Sequence, residues 1–179
     1  MALKPTIYKF RIALSDMDRN LFDTLNLTVA QHPSETLERM MVRVLAFCIN
    51  YRADLEFTKG LSDIEEPDLW VRDYDENVPL WIEVGEPDPD RVKKATRLAQ
   101  DVIVYSFNSK SQTWWQQSLN KLTRLPASYF QLRWDKVQEL ASRVERSMDM
   151  TITISEQTAF FSTSAGDCEV TWTELKAND

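Results

Sequence analysis

The sequence predicts an α/β fold, a single domain over residues 1–179 in which helices flank a mixed β-sheet. Between residues 79 and 146, extended apolar runs alternate with amphipathic helical patterns, which is typical of parallel strands joined by crossover helices. Strand-like alternation marks both ends of the chain. With 179 residues and a hydrophobic content of 43%, the chain is long enough to bury one sizeable core.

The first segment is a predicted hairpin followed by a helix. Residues 7–14 and 21–31 read as strands separated by a polar turn, so we expect them to pair. Ser34 is the predicted N-cap of a helix from residue 35 to about 51, whose apolar residues recur at helical spacing. Glu38 borders this apolar stripe. It is either an acid beside a functional site or a surface carboxylate whose stem crosses the stripe.

A second hairpin follows an irregular segment. Residues 69–72 and 79–84 are extended runs joined by a polar loop. With the turn centred on that loop, Asp68 faces Glu83, and directly opposed Cβ atoms lie roughly 4.5–5.5 Å apart. Two carboxylates at that spacing repel each other unless a cation or a proton lies between them. Either a hard divalent cation with oxygen ligands binds here, or one of the two acids points into solvent, or the register of the hairpin differs by one residue.

The remaining elements alternate and then change to strands only. Asp88 and the proline after it predict the start of a helix, and a continuous apolar run predicts a strand buried on both faces. Three short strands at the end should extend the sheet or pair with the opening hairpin. The predicted helices span residues 89–100, 109–122 and 134–146, and the predicted strands span 101–107, 127–133, 149–155, 157–163 and 169–173.

Composition excludes several kinds of chemistry. His32 is the only histidine, which argues against a histidine base and against zinc sites with several histidines. The chain has 3 glycines and no glycine-rich phosphate loop. Cys48 and Cys168 lack CxxC spacing, so we expect reduced core or near-core thiols. The net charge of −7 is unfavourable for general polyanion binding, although a local basic patch is compatible with it.

Pro67-Asp68 on one strand and Glu83 on the next are similar to the PD-(D/E)xK nuclease signature. That resemblance implies that Asp68 and Glu83 bind Mg²⁺ (or Mn²⁺), assisted by a lysine two residues after the second acid. Gly85 occupies that place here. The chain also resembles the YaeQ family over nearly its whole length, through Tyr8-Lys-Phe-Arg-Ile-Ala-Leu14, Ser34-Glu-Thr-Leu-Glu38, Glu66-Pro67-Asp68 and Trp81-Ile-Glu83-Val-Gly-Glu-Pro87. This second resemblance implies a PD-(D/E)xK nuclease-like fold with an added N-terminal hairpin and C-terminal strands.

The resemblance suggests roles for two further residues. Lys94 lies on the helix after the Glu83 strand, and it either reaches back to replace the lysine missing at Gly85 or belongs to a solvated basic face. Glu38 would lie beside the metal ion as a ligand or as a neighbour of the ligands. Trp70 and Trp81 either stack on bases or pack in the core.

Two functions are therefore compatible with the sequence. The first is Mg²⁺-dependent phosphodiester hydrolysis, as in a nuclease, and the second is a module that binds nucleic acid or a protein without cleaving it. No apolar run approaches the roughly 20 residues of a membrane span, and the N-terminal residues lack the apolar core of a signal peptide. We expect a cytoplasmic protein with no membrane partner.

Overall fold

The ten strands found in residues 4–178, the part of the chain described by this computed structural model, form one mixed sheet. Their order across the sheet is β2-β1-β8-β9-β10-β7-β6-β5-β4-β3. The strands are β1 (Thr6–Asp16), β2 (Leu21–Gln31), β3 (Leu55–Phe57), β4 (Leu69–Val71), β5 (Val78–Val84), β6 (Ala99–Ser106), β7 (Ser128–Leu132), β8 (Ser147–Ser155), β9 (Thr158–Thr163) and β10 (Gly166–Lys176).

Four α-helices connect these strands. They are α1 (Leu37–Ile49), α2 (Pro89–Leu98), α3 (Ser111–Leu122) and α4 (Trp134–Ala141), and a short 3-10 helix spans Gly60–Ser62. The predicted parallel unit is confirmed, because β5 pairs in parallel with β6 and β6 with β7. No helix within residues 4–178 is long and apolar enough to cross a membrane.

The C-terminal strands join the two ends of the sheet. Strand β8 pairs in parallel with β1 of the opening hairpin, and β10 pairs antiparallel with β7. Both predicted alternatives for these strands are therefore realised, since they pair with the hairpin and also extend the parallel unit.

Helices cover the sheet on two faces. The larger core lies under α1 and α4 and includes the buried Met41, Leu45 and Ile82. The second core lies under α2 and α3 and includes Val92 and Tyr129. Alternating side chains of β5 and β6 enter one core and then the other, which explains their near-continuous apolar sequence.

Helix α1 begins later than the sequence predicted. Thr36, not Ser34, is the N-cap, and its hydroxyl accepts a hydrogen bond from the Arg39 backbone N–H. The Ser34 hydroxyl instead forms a hydrogen bond with the imidazole of His32. Glu35 therefore precedes the helix, and its side chain turns into the protein, where it is buried.

The β4–β5 hairpin has the predicted register over its three paired positions. Trp70 lies opposite Trp81, and their rings pack edge to face with centroids 6.1 Å apart. Both rings are buried in the second core. Of the two predicted roles, base stacking and core packing, the structure therefore shows core packing. Beyond Leu69 the ladder becomes irregular, because the Asp68 backbone N–H donates to the Ile82 carbonyl, one residue before Glu83.

Candidate functional site

A cleft of about 790 Å³ opens where β5 ends and α2 and α3 begin. Its charged lining consists of three cationic side chains, Arg39, Arg91 and Lys110, and two acidic side chains, Glu83 and Glu86. The ring of Trp114 forms part of the wall, and its indole N–H donates to the Pro87 carbonyl at 2.8 Å. A surplus of cationic groups thus lines this cleft in a protein whose net charge is −7.

Asp68 lies at this end of the sheet with only 3% of its surface exposed. Its Oδ2 accepts a hydrogen bond from the Val84 backbone N–H at 2.8 Å, and its Oδ1 accepts one from Arg39 Nη2 at 2.6 Å. Both carboxylate oxygens therefore have partners. Asp68 does not line the cleft; Arg39, which does, is bonded to it.

Glu83 is the acid of the predicted pair that reaches the cleft. Its Oε1 accepts hydrogen bonds from the Trp81 indole N–H at 2.9 Å and from Arg91 Nε at 3.0 Å. Burial, and secondarily the negative charge of Asp68, raises the pKa of Glu83, although Arg91 and Trp81 oppose this shift. The charge of Asp68 therefore acts on Glu83, and a guanidinium group accompanies each of the two carboxylates.

A buried ion-pair network behind the cleft holds Arg39 in place. Arg39 Nη1 donates to Glu35 Oε2 at 2.6 Å, while its Nη2 also contacts the Val84 carbonyl at 3.3 Å. Arg43, one helical turn later, makes two hydrogen bonds to the same Glu35 carboxylate, at 2.9 and 2.6 Å. Glu35 therefore binds two guanidinium groups, and the network connects α1 to the end of β5.

Glu86 is the second acid of the cleft wall. Its Oε2 accepts a hydrogen bond from the Phe107 backbone N–H at 3.1 Å, and its Oε1 is buried without a hydrogen-bond partner. Burial raises the pKa of this carboxyl, while backbone N–H groups and the nearby Arg39 charge lower it. A buried carboxylate oxygen without a donor is costly, so this side chain has an unused hydrogen-bonding position.

Lys94 does not reach back to Asp68 or Glu83, so of its two predicted placements the structure shows the solvent-exposed one. Lys94 forms a surface ion pair with Glu65, in which both side chains are more than half exposed. Arg91, one turn closer to the start of α2, takes the place beside Glu83 and also donates to the Glu66 carbonyl at 2.9 Å. Arg91 lies closer in sequence to the end of β5 than Lys94 does, and its guanidinium group offers more N–H donors than an ammonium group. It therefore takes the position beside Glu83.

Gly85 has a backbone φ of +120°, a conformation that side-chain-bearing residues rarely adopt. Open space surrounds the position where a Cβ would lie, so crowding does not explain the missing lysine. The backbone conformation after β5 favours glycine there, and the cationic group near Glu83 comes from Arg91 instead.

Glu38 lies on α1 half-buried and makes no ion pair within residues 4–178. It precedes Arg39 by one residue, which places it about 100° around the helix from the side that faces Asp68. The acid that enters this region is instead Glu35, which lies just before α1. The sequence contains a signal for it, because Arg43 lies inside an otherwise apolar helical stripe and a buried arginine requires an anionic partner.

The arrangement does not fit a divalent cation as it stands. Residues 4–178 contain no group of three or more His, Cys, Asp or Glu side chains positioned to hold a metal ion. Both carboxylate oxygens of Asp68 accept hydrogen bonds, one of them from the Arg39 guanidinium group. The same guanidinium group also donates to the Val84 carbonyl. An ion bound between Asp68 and Glu83 would have to displace Arg39.

Comparisons with known proteins agree over almost the entire chain. Residues 1–172 match the family described as YaeQ protein. The chain belongs to the YaeQ family. It is 40% identical to the uncharacterized protein YaeQ of Salmonella typhi over 172 residues, which cover 95% of each protein.

Two crystal structures of YaeQ proteins have the same fold. The YaeQ protein of Xanthomonas axonopodis pv. citri superposes with a TM-score of 0.93 at 35% identity, covering 97% of this chain and 99% of that one. The YaeQ protein of Pseudomonas syringae gives a TM-score of 0.91 at 35% identity and 97% coverage of both chains. The mixed α/β architecture is therefore that of the YaeQ family.

Proposed function

We propose that this YaeQ-family protein is a non-catalytic module that binds a phosphate-bearing ligand of the nucleic-acid type in the cleft. The observation that carries the proposal is the pairing of both predicted metal-binding acids with guanidinium groups, Asp68 with Arg39 and Glu83 with Arg91. Acids that are paired with guanidinium groups in this way are poor ligands for a catalytic metal ion. The two arginines still line the cleft, and Lys110 adds a third cationic group.

The chemistry of the wall supports a nucleotide-like ligand. Lys110 is exposed at the start of α3, and Arg39 and Arg91 retain partial exposure of 17% and 34%. Cationic groups attract phosphates, and an aromatic ring offers a surface on which a base can stack. Trp114 supplies that ring within the same cleft, held in place by its hydrogen bond to Pro87.

Binding of a short fluorescent single-stranded oligonucleotide tests the proposal. Lys110→Ala should weaken binding by at least about threefold and reduce its salt dependence, because one phosphate contact is lost. Lys121→Ala is the matched control, since Lys121 is an exposed lysine near the other end of α3 and does not line the cleft. Equal effects of the two substitutions, or no binding at low salt, would refute a ligand site in this cleft.

The second candidate is a Mg²⁺-dependent phosphodiesterase or nuclease with a PD-(D/E)xK-type fold. Two observations favour it: the charge of the buried Asp68, just before β4, acts on the buried Glu83 of β5, and the described residues supply no hydrogen bond to Glu83 Oε2. The sequence assigns Asp68 and Glu83 to Mg²⁺ or Mn²⁺ in this candidate and Lys94 and Glu38 to catalysis. The positions of Lys94 and Glu38 give it no support.

Cleavage assays separate the two candidates. An enzyme should degrade labelled DNA or RNA when Mn²⁺ is added, and Glu83→Gln should abolish that activity by removing a ligand of the ion. A purified protein that binds oligonucleotide but leaves it intact, with and without Mn²⁺, would eliminate the nuclease candidate. Cleavage that persists in Glu83→Gln would indicate a contaminating nuclease.

A further inference from the structure

We propose that a small cavity beside the 3-10 helix binds a small oxyanion such as inorganic phosphate, held by the buried Arg43. The cavity lies between β2, α1 and the segment from β3 to the 3-10 helix, and it shares no lining residue with the cleft. Its volume is about 170 Å³, the space that roughly six water molecules take up in the liquid. Pockets for drug-sized ligands start at about 300 Å³, so this cavity suits a smaller guest.

Arg43 carries the proposal because its guanidinium group is buried and only partly hydrogen-bonded. Only 5% of its side chain is exposed. Its Nε and Nη2 donate to the Glu35 carboxylate at 2.9 and 2.6 Å, and Nη2 also donates to the Ala30 carbonyl at 2.9 Å. Nη1 has no acceptor within residues 4–178, and this nitrogen is not fully buried. The N–H donors of Nη1 therefore remain for a ligand.

The geometry of the guanidinium group directs Nη1 towards the cavity. Nε and Nη2 form the edge that faces Glu35, so Nη1 points away from that carboxylate. The ring of Phe57, another part of the cavity wall, lies beside the group, with Arg43 Cζ 5.8 Å from the ring centroid. An arginine held in this way has lost its rotational freedom before a ligand arrives, which lowers the entropic cost of binding.

The other polar groups of the cavity wall also suit an anion. Lys59 is largely exposed, and its ammonium lies 4.0 Å from Asp63. His32 Nδ1 accepts a hydrogen bond from the Ser34 backbone N–H, so Nε2 carries the proton of the neutral ring and is a donor. Glu35 is the one acid among the described residues that line the cavity, and both of its oxygens already accept from guanidinium groups.

Titration of the full chain with inorganic phosphate, followed by NMR of isotopically labelled glycine amides, tests the proposal. The chain has 3 glycines. Gly60 lines the cavity, Gly85 lines the cleft and Gly166 lines neither of them. We expect the Gly60 signal to shift with phosphate until it saturates, while the Gly166 signal stays in place. Sodium chloride at the same ionic strength controls for charge screening and should leave Gly60 unshifted.

Arg43→Lys is the deciding variant. A lysine keeps the positive charge beside Glu35 but has a single nitrogen, so phosphate affinity should fall by at least about tenfold. Lys59→Glu serves if the Arg43 variant does not fold, because Lys59 is an exposed residue. It should weaken phosphate binding by at least about fivefold. Lys93→Glu is the matched control, since it makes the same change of net charge at an exposed lysine that lines neither the cavity nor the cleft.

Three results would overturn the proposal. The first is a Gly60 signal that does not respond to phosphate or responds equally to chloride. The second is a shift of Gly85 alone, which would assign phosphate to the cleft. The third is an equal loss of affinity in Lys59→Glu and Lys93→Glu, which would reduce the effect to overall charge. Because Gly60 and Gly85 report separately, this proposal and the oligonucleotide proposal can fail independently.

Discussion

Glu35 offers the sharpest test of the network behind the cleft. Glu35→Gln removes the negative charge that serves both Arg43, whose side chain is 5% exposed, and Arg39. Removing one partner of a buried ion pair leaves an uncompensated charge and typically costs about 3–5 kcal/mol. Arg43 keeps its 2.9 Å hydrogen bond to the Ala30 carbonyl, which places the expected loss near the lower end of that range.

Urea unfolding measured by circular dichroism gives this loss directly, provided that the slope against urea is unchanged. For a chain of this length, about 3 kcal/mol corresponds to a melting temperature lower by roughly 6–12 °C. Glu38→Gln is the matched control, because Glu38 lies three residues away, is half-buried and makes no ion pair within residues 4–178. We expect it to change the free energy of unfolding by less than about 0.5 kcal/mol.

A double substitution separates charge from packing. Glu35→Leu combined with Arg43→Met removes both charges of the buried pair, and such replacements are often neutral or stabilising. The double variant should therefore be more stable than Glu35→Gln alone. If Glu35→Gln unfolds within about 1 kcal/mol of the wild type, Arg43 is not an uncompensated buried cation in that variant, and the reasoning is refuted.

Two further predictions concern the surface of α2 and the behaviour at high pH. Arg91→Ala should lower the free energy of unfolding by about 1–3 kcal/mol, because the buried Glu83 loses a charged donor. Lys94→Ala should change it by less than about 0.5 kcal/mol, since the ion pair of Lys94 is exposed. Similar losses for the two variants in urea unfolding would contradict this assignment. Burial raises the pKa of the Cys48 thiol from 9.0 to about 12 and that of Tyr105 from 10.0 to about 12. The unfolded chain releases these protons first, so stability should fall by roughly 1.4 kcal/mol per pH unit for each group, from about pH 9 for the thiol and from about pH 10 for the phenol, towards pH 12. Cys48→Ala should flatten the decline of stability measured between pH 9 and 11, and a slope equal to that of the wild type would show that the thiol is not the titrating group.

Much of the fold follows from local patterns in the sequence. Strand β2 spans residues 21–31 as predicted, and Asp88 caps α2, because alternation and capping act over a few neighbouring residues. The predicted start of α1 was wrong because Ser34 and Thr36 are both residue types that cap helices well. The choice between them depends on the tertiary placement of Glu35 and His32.

The candidate site was predictable only in part. The hairpin register brought Asp68 and Glu83 to one end of the sheet, since the pairing of two strands fixes which residues are neighbours. The partners of these acids come from α1 and α2, and the reach of a side chain across elements leaves no local pattern. Lys94 was favoured by analogy with a lysine, although the guanidinium group of Arg91 was closer along the chain.

The parallel pairing of β1 with β8 has a consequence for synthesis of the chain. Lys9 is registered with Ser147, so the opening hairpin finds its neighbour only after more than three quarters of the protein has been made. Contacts of such large sequence separation slow folding, and an unpaired strand edge invites association with other chains during that interval. The second edge of β1 therefore stays unpaired until Ser147 has been made, and a chain truncated before that residue would contain two separate sheets, β2-β1 and β7-β6-β5-β4-β3, with exposed edges.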